Sequence, residues 1–242
     1  MISIVIPVFN EARIVGEAAE ELCRKLDALG WDYELILAEN GSRDGTREIL
    51  RELSARLPRL RWLQGDEPNY GKALKLGILD ARGEKVVCDE IDLCDVDFYQ
   101  RALPMLDQGA DLVVGSKAMA GSNDARPAMR RVATRVITLL LRLSTGFRGT
   151  DTHGLKAFRR DRLVEVARAC VVDRDLFASE LVIRAQRMGR VVREIPIALQ
   201  EKRPPSTHLF RRLPRVLKGL VKLGWAVRVR HRRGNPPTGA AE

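Results

Sequence analysis

Residues 86–100, VVCDEIDLCDVDFYQ, join a short apolar run to a cluster of acidic side chains. The acids are Asp89, Glu90, Asp92, Asp95 and Asp97. An apolar run of this length, bounded by polar residues, is typical of a buried strand. If the chain stays extended past the run, Glu90 and Asp92 project on one side and Asp89 on the other, because side chains alternate along a strand. The pattern predicts a strand that ends in a pair of neighbouring carboxylates.

The segments around this stretch alternate between apolar strands and helical patterns. The predicted strands are 2–7 (ISIVIP), 33–38 (YELILA), 60–64 (LRWLQ), 85–88 (KVVC) and 111–115 (DLVVG). The predicted helices between them are 11–29, with Asn10 as its N-cap, then 44–57, 72–80 and 98–106. Regular alternation with strands that are apolar throughout predicts an α/β fold, in which helices cover both faces of a parallel sheet.

Polar clusters follow the first four predicted strands. They are PVFNE at 7–11, ENGSRDGT at 39–46, EPNYGKA at 67–73 and DEIDLCD at 89–95. Taken alone, ENGSRDGT is explained by a tight turn and a helix cap, and Gly71 with Lys72 by a capped helix. Ligands of open α/β sheets bind beyond the carboxyl ends of the strands, and a helix start holds a diphosphate well. Four clusters at one edge therefore favour a phosphate-containing ligand.

The acidic cluster suits a divalent cation. Glu90 and Asp92 have the spacing to share a hard cation, Mg or Mn, that also ligates a nucleotide diphosphate, since both ions prefer oxygen ligands. Asp95 and Asp97 are then either second-sphere groups or the N-cap of the next helix.

The positive charge of the chain is concentrated near its C-terminus. The chain has 242 residues and a net charge of +10, and residues 201–233 alone carry eleven Lys or Arg against the acid Glu201. A basic amphipathic helix is predicted from Leu209 to Arg230, which either packs on the catalytic body or docks on an anionic bilayer. No nucleic acid partner is expected, because only three Tyr and three Trp are available for stacking. Residues 234–242 are expected to be a disordered tail.

No signal peptide or membrane span is expected. The N-terminus, MISIVIPVFNE, has no basic stretch before its apolar run. The longest local apolar run, Val136 to Leu141, is far shorter than the roughly 18 residues of a span. These observations predict a cytoplasmic protein, peripheral on the cytoplasmic face of the membrane if its acceptor is a lipid.

The order of motifs resembles the inverting glycosyltransferases of family 2 with the GT-A fold. Within that family it is similar to the dolichyl- or polyprenyl-phosphate mannosyltransferase branch. The segments that carry the likeness are IVIPVFNE, ENGSRDGT, NYGKALKLGILDARGEKVV, EIDLCD, LVVGSK and GTDTHGLKAFRRDRL, which together reach from about Ile2 to Lys222. The resemblance implies a Rossmann-like GT-A catalytic domain over residues 1–200, followed by a basic loop and amphipathic helix over 201–233.

The resemblance also implies roles for single residues. On the donor side, the residues expected to contact the nucleotide are Pro7, Phe9 and Glu11 beside the base and ribose, Glu39 at the base and Lys72 nearby. Glu90 and Asp92 match the D-x-D metal motif, with Cys94 as a further metal ligand. Arg203 and Ser206 fall in a loop that closes over the diphosphate. On the acceptor side they are Lys117, Arg130, Arg131 and Thr134 at the acceptor phosphate, with Asp151 and His153 in the segment that follows. Glu90, Asn40 and Cys94 replace the Asp, Asp and Gln that are usual at their positions.

The expected activity is the transfer of a hexose from a nucleotide sugar, of the GDP-mannose or UDP-glucose type, to polyprenyl phosphate with inversion. A phosphate acceptor is already ionised and needs no strong base, whereas a hydroxyl acceptor would need Asp151 or His153 as a base. The alternative is a purely structural role for both residues, with Asp151 in a turn and His153 as a packed side chain. A soluble glycosyltransferase and a nucleotide-sugar-binding pseudoenzyme remain the alternatives for the whole chain.

Overall fold

The computed structural model describes residues 1–122, 128–198, 219 and 221–225, apart from the side chains of residues 128, 130, 133 and 175. Its strands are β1 (Ile2–Val8), β2 (Tyr33–Asn40), β3 (Leu60–Gly65), β4 (Lys85–Cys88), β5 (Leu112–Ser116), β6 (Lys156–Arg159) and β7 (Val192–Pro196). Its helices are α1 (Val15–Ala28), α2 (Thr46–Arg56), α3 (Tyr70–Asp80), α4 (Val96–Asp107), α5 (Ala128–Thr145), α6 (Arg160–Ala169) and α7 (Phe177–Arg187), with a short 3-10 turn at Arg174–Leu176.

The strands form one mostly parallel sheet. Their order is β3-β2-β1-β4-β6-β5-β7, and β6 alone among them runs antiparallel to its two neighbours. Alternate residues of each strand feed two separate cores, because successive side chains point to opposite faces. Helices α1, α2 and α4 cover one face, and α3, α6 and α7 cover the other. The predicted parallel α/β sheet with two covered faces is confirmed.

The described part of the second half contains elements that the sequence pattern did not predict. They are α5, β6, α6, α7 and β7. Strand β6 starts directly opposite the last residue of β4, since Lys156 pairs with Cys88 and also with Val114 of β5. The antiparallel insertion brings the residues just before β6 to the carboxyl ends of β4 and β5, which is the edge where the polar clusters collect.

The predicted start of the first helix was wrong. Helix α1 begins at Val15 rather than at Glu11, and Asn10 does not cap it. Instead Asn10 has a left-handed backbone with φ of 54°, its N–H donates to Ser42 Oγ, and its Oδ1 accepts from Arg43 N–H. Asn tolerates this conformation better than most residues. The residue therefore joins the ends of β1 and β2 instead of starting a helix.

Helix α5 and the described tail residues lie side by side. Leu141 of α5 and Leu223 are both fully buried in the same core. A Cβ built on Gly224 would lie 3.8 Å from Ser144 Cβ, so the helical residues 221–225 pack on the body at this point. The remainder of the predicted basic loop, most of the amphipathic helix and the predicted tail at 234–242 lie outside the described residues.

Candidate active site

The ends of β1 and β2 are tied together by side chains that accept backbone N–H groups. Thr46 Oγ1 accepts from Glu11 N–H at 2.9 Å, and Asp44 Oδ2 accepts from Ala12 N–H at 3.1 Å. Asp44 Oδ1 also accepts from the N–H of Thr46, at 3.2 Å. Some desolvation acts to raise the pKa of Asp44, but a hydrogen bond from the Thr46 hydroxyl and those from the two N–H groups outweigh it and lower the pKa. The 39–46 cluster thus serves as a turn that fixes the loop after β1.

Glu39, predicted to contact the nucleotide base, is fully buried at the end of β2. Its Oε1 accepts from Ser42 N–H, and its Oε2 forms a 2.9 Å ion pair with Arg47 Nε. Arg47 also donates to Gly65 O of β3, so it links two strand ends. Sequence reasoning missed Arg47; its place one residue inside α2, on the helix that starts from the polar turn, was the available signal. Pro7 is half-buried and Phe9 is exposed at the same edge.

Helix α3 starts two residues earlier than predicted, and its cap is Asn69. The Asn69 side chain is buried and accepts from the N–H groups of Lys72 and Arg174 at 3.1 and 2.9 Å. Its Nδ2 donates to Asp173 Oδ2 at 3.1 Å. The ammonium of Lys72 is exposed and pairs with Glu67, which raises the pKa of Lys72. Lys72 therefore lies at the helix start, as predicted, and the hydrogen bonds of Asn69 fix this end of the helix to the segment that leads into the 3-10 turn.

The chain does not stay extended after β4, so the geometric reason given for pairing Glu90 with Asp92 was wrong. The N–H groups of Leu93 and Cys94 both donate to Glu90 O, at 3.0 and 3.2 Å, which closes a turn over residues 90–94. Cys94 has φ of 46°, and its thiol lies 3.5 Å from Ile91 O. Glu90, Asp92 and Cys94 all remain partly exposed on this turn.

Asp89 is the buried member of the acidic cluster. It is 2% exposed, and it accepts from Glu90 N–H, Asp95 N–H and the Tyr99 hydroxyl of α4. Burial raises the pKa of Asp89 to about 7, although the three hydrogen bonds act to lower it. Its side chain points toward α4, where Tyr99 lies. Asp95 caps α4 by accepting from Phe98 N–H at 3.0 Å, which confirms the N-cap role, one of its two predicted roles.

The partly exposed carboxylates of Glu90 and Asp92 suit a hard cation whose coordination shell is completed by a bound ligand. Within the described residues, no group of three His, Cys, Asp or Glu side chains is placed to hold a metal ion on its own. Mg²⁺ and Mn²⁺ in nucleotide sites use one or two carboxylates, and the substrate phosphates and water supply the remaining oxygens. Glu90 and Asp92 fit that donor set. The thiol of Cys94 is a softer ligand, and its contact with Ile91 O gives it a local partner.

A second buried carboxylate lies on the loop that precedes β6. Asp151 is 1% exposed and accepts from His153 N–H at 2.8 Å and Lys117 N–H at 3.2 Å. Burial acts to raise the pKa of Asp151, but the Lys117 ammonium and the hydrogen bond from His153 outweigh it, and the pKa falls below its usual range. Asp151 is therefore ionised at neutral pH. The His153 side chain is exposed rather than packed, and its Nδ1 lies 3.1 Å from Thr152 Oγ1.

Lys156, which sequence reasoning missed, joins the two loops. It is 2% exposed, and its Nζ donates to Gly154 O at 2.7 Å. Burial lowers the pKa of Lys156, whereas the nearby carboxylates of Asp151 and Glu90 oppose that shift. A lysine at the start of a four-residue strand gives no burial signal in the sequence. Its position follows from the register with β4.

The described residues bring many of the predicted site residues to one edge of the sheet. Asp151, Lys117 and Glu90 all act electrostatically on Lys156. Desolvation of the phenol and the charges of Glu90, Asp89 and Asp92 raise the pKa of Tyr70, although the residue as a whole is 38% exposed. Arg131 and Thr134 lie on α5. The side chain of Arg130, and Arg203 with Ser206, lie outside the described residues, so their predicted roles stay predictions.

Comparison with known proteins places this chain in a family. Residues 3–167 match the family model described as "Glycosyl transferase family 2". Glycosyltransferase AglD of Haloferax volcanii is 31% identical over 96% of this chain and 38% of its own length. The undecaprenyl-phosphate 4-deoxy-4-formamido-L-arabinose transferase of Pseudomonas fluorescens is 32% identical over 70% of this chain and 49% of its own length. The chain thus spans less than half of either relative.

A solved structure shares the fold. Glucosyl-3-phosphoglycerate synthase from Mycobacterium tuberculosis, in complex with Mn²⁺, uridine diphosphate and glucosyl-3-phosphoglycerate, superposes with a TM-score of 0.65 at 19% identity, over 100% of this chain and 83% of that one. The likeness confirms the GT-A architecture that the motif order implied. With the match over residues 3–167 and the 31% identity to a curated glycosyltransferase, the chain belongs to glycosyl transferase family 2.

Proposed function

We propose that this chain transfers a hexose from a nucleotide sugar to polyprenyl phosphate, with inversion at the anomeric carbon. The observation that carries the proposal is the convergence of two loops, residues 89–95 with their partly exposed carboxylates and residues 149–155 with Asp151, on the ligand edge of a family 2 fold. The curated Pseudomonas relative acts on undecaprenyl phosphate according to its name, which supports a lipid phosphate as the acceptor.

The proposed chemistry is a single displacement. An ionised oxygen of the acceptor phosphate forms the new bond to the anomeric carbon, while the bond from that carbon to the nucleoside diphosphate breaks. No strong base is required, so the protein has to align the acceptor and to neutralise the leaving group. Lys117, which is held by Asp151, together with Arg130 and Arg131 would bind the acceptor phosphate.

The leaving diphosphate would lie beside the 89–95 loop. Glu90 and Asp92 would hold Mg²⁺ or Mn²⁺, and when bound the cation neutralises charge that develops on the diphosphate. Lys72 adds an exposed ammonium near the nucleotide, and in the absence of a ligand Glu67 pairs with it. The Mn²⁺ and uridine diphosphate in the M. tuberculosis synthase support this class of cofactor and donor.

The outer face of α5 supports an acceptor that stays in a bilayer. Its exposed apolar side chains recur every three or four residues, and their exposed fractions run from 49% to 70%. They are Met129, Val132, Val136, Leu139 and Leu143. On the neighbouring helical residues Val221 and Trp225 are also exposed, by 74% and 66%. Among the described residues no helix is long and apolar enough to cross a membrane. The exposed apolar face of α5, together with the basic residues near the C-terminus, supports binding at the cytoplasmic surface of the bilayer.

The transfer itself is tested with purified protein, Mn²⁺ and radiolabelled UDP-glucose or GDP-mannose. We expect label in the organic phase with undecaprenyl phosphate as acceptor and none with water-soluble glycans. Label that appears only on a water-soluble hydroxyl would favour the second candidate, a glycosyltransferase in which the ionised carboxylate of Asp151 acts as base. Binding of a nucleotide sugar without transfer to any acceptor or to water would identify a pseudoenzyme.

The membrane contact is tested with vesicles of anionic and of neutral lipid. Leu139→Glu and Leu143→Glu, on the outer face of α5, should weaken co-sedimentation with anionic vesicles. Leu76→Glu is a matched control, because Leu76 is a partly exposed leucine on α3. Binding that is unchanged in the α5 variants, or equally weak in the control, would contradict a role for this face.

A further inference from the structure

The amino group of Lys156 is buried, and the carboxylates of Asp151 and Glu90 act on it from beyond ion-pair distance. Its Nζ has one hydrogen-bond partner among the described residues, the neutral carbonyl of Gly154, and it forms no ion pair with any of them. Burying a charge without an ion-pair partner destabilises the folded protein, even after the structure relaxes. A lysine at such a position points to a use for the charge, because an apolar side chain at the same strand position would be more favourable for stability.

The position of Lys156 suggests what that use is. The residue pairs with Cys88 of β4 and Val114 of β5, so it lies at the carboxyl ends of both strands. The charged groups that act on it are Asp151 and Lys117 from one side of the site and Glu90 from the other. The ammonium therefore lies between the 149–155 loop and the 89–95 loop, where the proposed reaction gathers phosphate groups.

We propose that Lys156 is a built-in cation that attracts a phosphate group of a reactant, so that the site keeps affinity for phosphate ligands without a divalent metal. The proposal rests on the proposed function, since it concerns the same site. Both the diphosphate of the donor and the monoester of the acceptor would supply the required phosphate oxygens. Lys156 acts from beneath the loop whose Gly154 carbonyl it holds, so it is a positioning residue and does not take part in bond making.

The test uses Lys156→Met, which removes the charge and keeps most of the length of the side chain. Lys75→Met is the matched control, because Lys75 Nζ also donates to backbone carbonyls, those of Arg168 and Cys170 at the end of α6. Calorimetric titration in EDTA would use inorganic pyrophosphate as the probe for the donor side and farnesyl phosphate for the acceptor side. We expect Lys156→Met to bind at least one probe about tenfold more weakly, because a charge in the protein interior acts on a nearby phosphate with little screening by water, and Lys75→Met to bind both like the wild type.

The pattern of losses identifies the source of the phosphate. A loss for pyrophosphate alone assigns Lys156 to the donor diphosphate, and a loss for farnesyl phosphate alone assigns it to the acceptor. Unchanged binding of both probes would overturn the proposal. Failure of the wild-type protein to bind either probe in EDTA would overturn it as well, whereas nucleotide binding that appears with Mn²⁺ would leave the proposed function standing.

Thermal unfolding separates an electrostatic role from a structural one. If the buried charge is used by a ligand, Lys156→Met should unfold at the same or a higher temperature than the wild type, because an unpaired buried charge destabilises the ligand-free protein. Lys156→Arg should recover part of the lost affinity, since it restores the charge. A lower unfolding temperature in Lys156→Met, with no recovery of affinity in Lys156→Arg, would show that the lysine only supports the loop and would overturn the proposal.

Discussion

Two loops at the same edge of the sheet each bury one aspartate, and the pKa values of the two carboxyl groups are shifted in opposite directions. Asp89 and Asp151 are 2% and 1% exposed. Burial raises the pKa of Asp89 to about 7, whereas the pKa of Asp151 is lowered. Both accept two backbone N–H groups, so hydrogen bonding is not the difference. The difference is the neighbouring charge: the Lys117 ammonium offsets the effect of burial at Asp151, whereas at Asp89 burial has the largest effect and Glu90 adds to it.

This contrast separates two uses of a buried acid. Asp89 holds the turn after β4 against α4 through Tyr99, and in doing so it orients the loop that exposes Glu90 and Asp92. Asp151 keeps its negative charge and holds Lys117 by its backbone. Equal burial therefore gives no information about charge state, which depends on the groups that lie within a few ångströms.

The largest expected effect is on the pH dependence of stability in metal-free protein, in EDTA. The pKa of Asp89 is about 7 in the folded chain and about 3.9 in an unfolded one, so the folded state binds more protons between these values. Stability should therefore fall as pH rises through this window, by roughly 1.4 kcal/mol per pH unit and ~4 kcal/mol in all from this group. Denaturant unfolding of wild type and Asp89→Asn from pH 4 to 8 should show a shallower slope in the variant.

Asp151→Asn provides the opposite sign as a control. Because the folded pKa of Asp151 is depressed, its carboxylate stabilises the protein above the unfolded pKa of about 3.9, and that stability is lost as pH falls through the lower folded value. The variant should therefore differ from the wild type mainly in acid, and its slope between pH 5 and 7 should match the wild type. Equal slopes for wild type and Asp89→Asn in that range would contradict the contrast.

The next effect concerns the exposed carboxylates of the same loop. Asp92→Ala should reduce the affinity for Mn²⁺ in the presence of UDP or GDP by more than about 100-fold, since even residues that merely orient a metal ligand cost ~10–100-fold when removed. Calorimetric titration of Mn²⁺ measures it. Asp97→Ala is the control, because Asp97 is exposed and pairs with Arg101 on α4. An unchanged Mn²⁺ affinity in Asp92→Ala would move the metal site to other carboxylates.

The strands and helices of the first half could be predicted from the sequence because each is set by local pattern. Five apolar runs separated by helical periodicity were enough to predict the parallel sheet and the ligand edge. Glu90 and Asp92 were chosen from spacing, and they do lie at that edge, although on a turn. The burial of Asp89, Asp151 and Lys156 could not be predicted, since it depends on Tyr99, Lys117 and the register of β6, which are partners distant in sequence or set by tertiary pairing.

The smallest expected effect tests whether the hydrogen bonds of Asp89 and Asp95, which hold the 89–95 loop, act independently of the exposed carboxylates of Glu90 and Asp92. Asp95 accepts from Phe98 N–H as the cap of α4, and its own N–H donates to Asp89. Asp95→Ala removes only the side-chain cap, so unfolding in denaturant should show a loss of about 1 kcal/mol. Asp95→Asn, which can still accept from Phe98 N–H, should recover most of that loss. Mn²⁺ affinity should stay close to the wild-type value in both variants, because Asp89 keeps its backbone contacts to the loop. A large loss of Mn²⁺ affinity in Asp95→Asn as well would mean that the carboxylate of Asp95 belongs to the metal site. Holding the loop and binding the metal would then not be the work of separate residues.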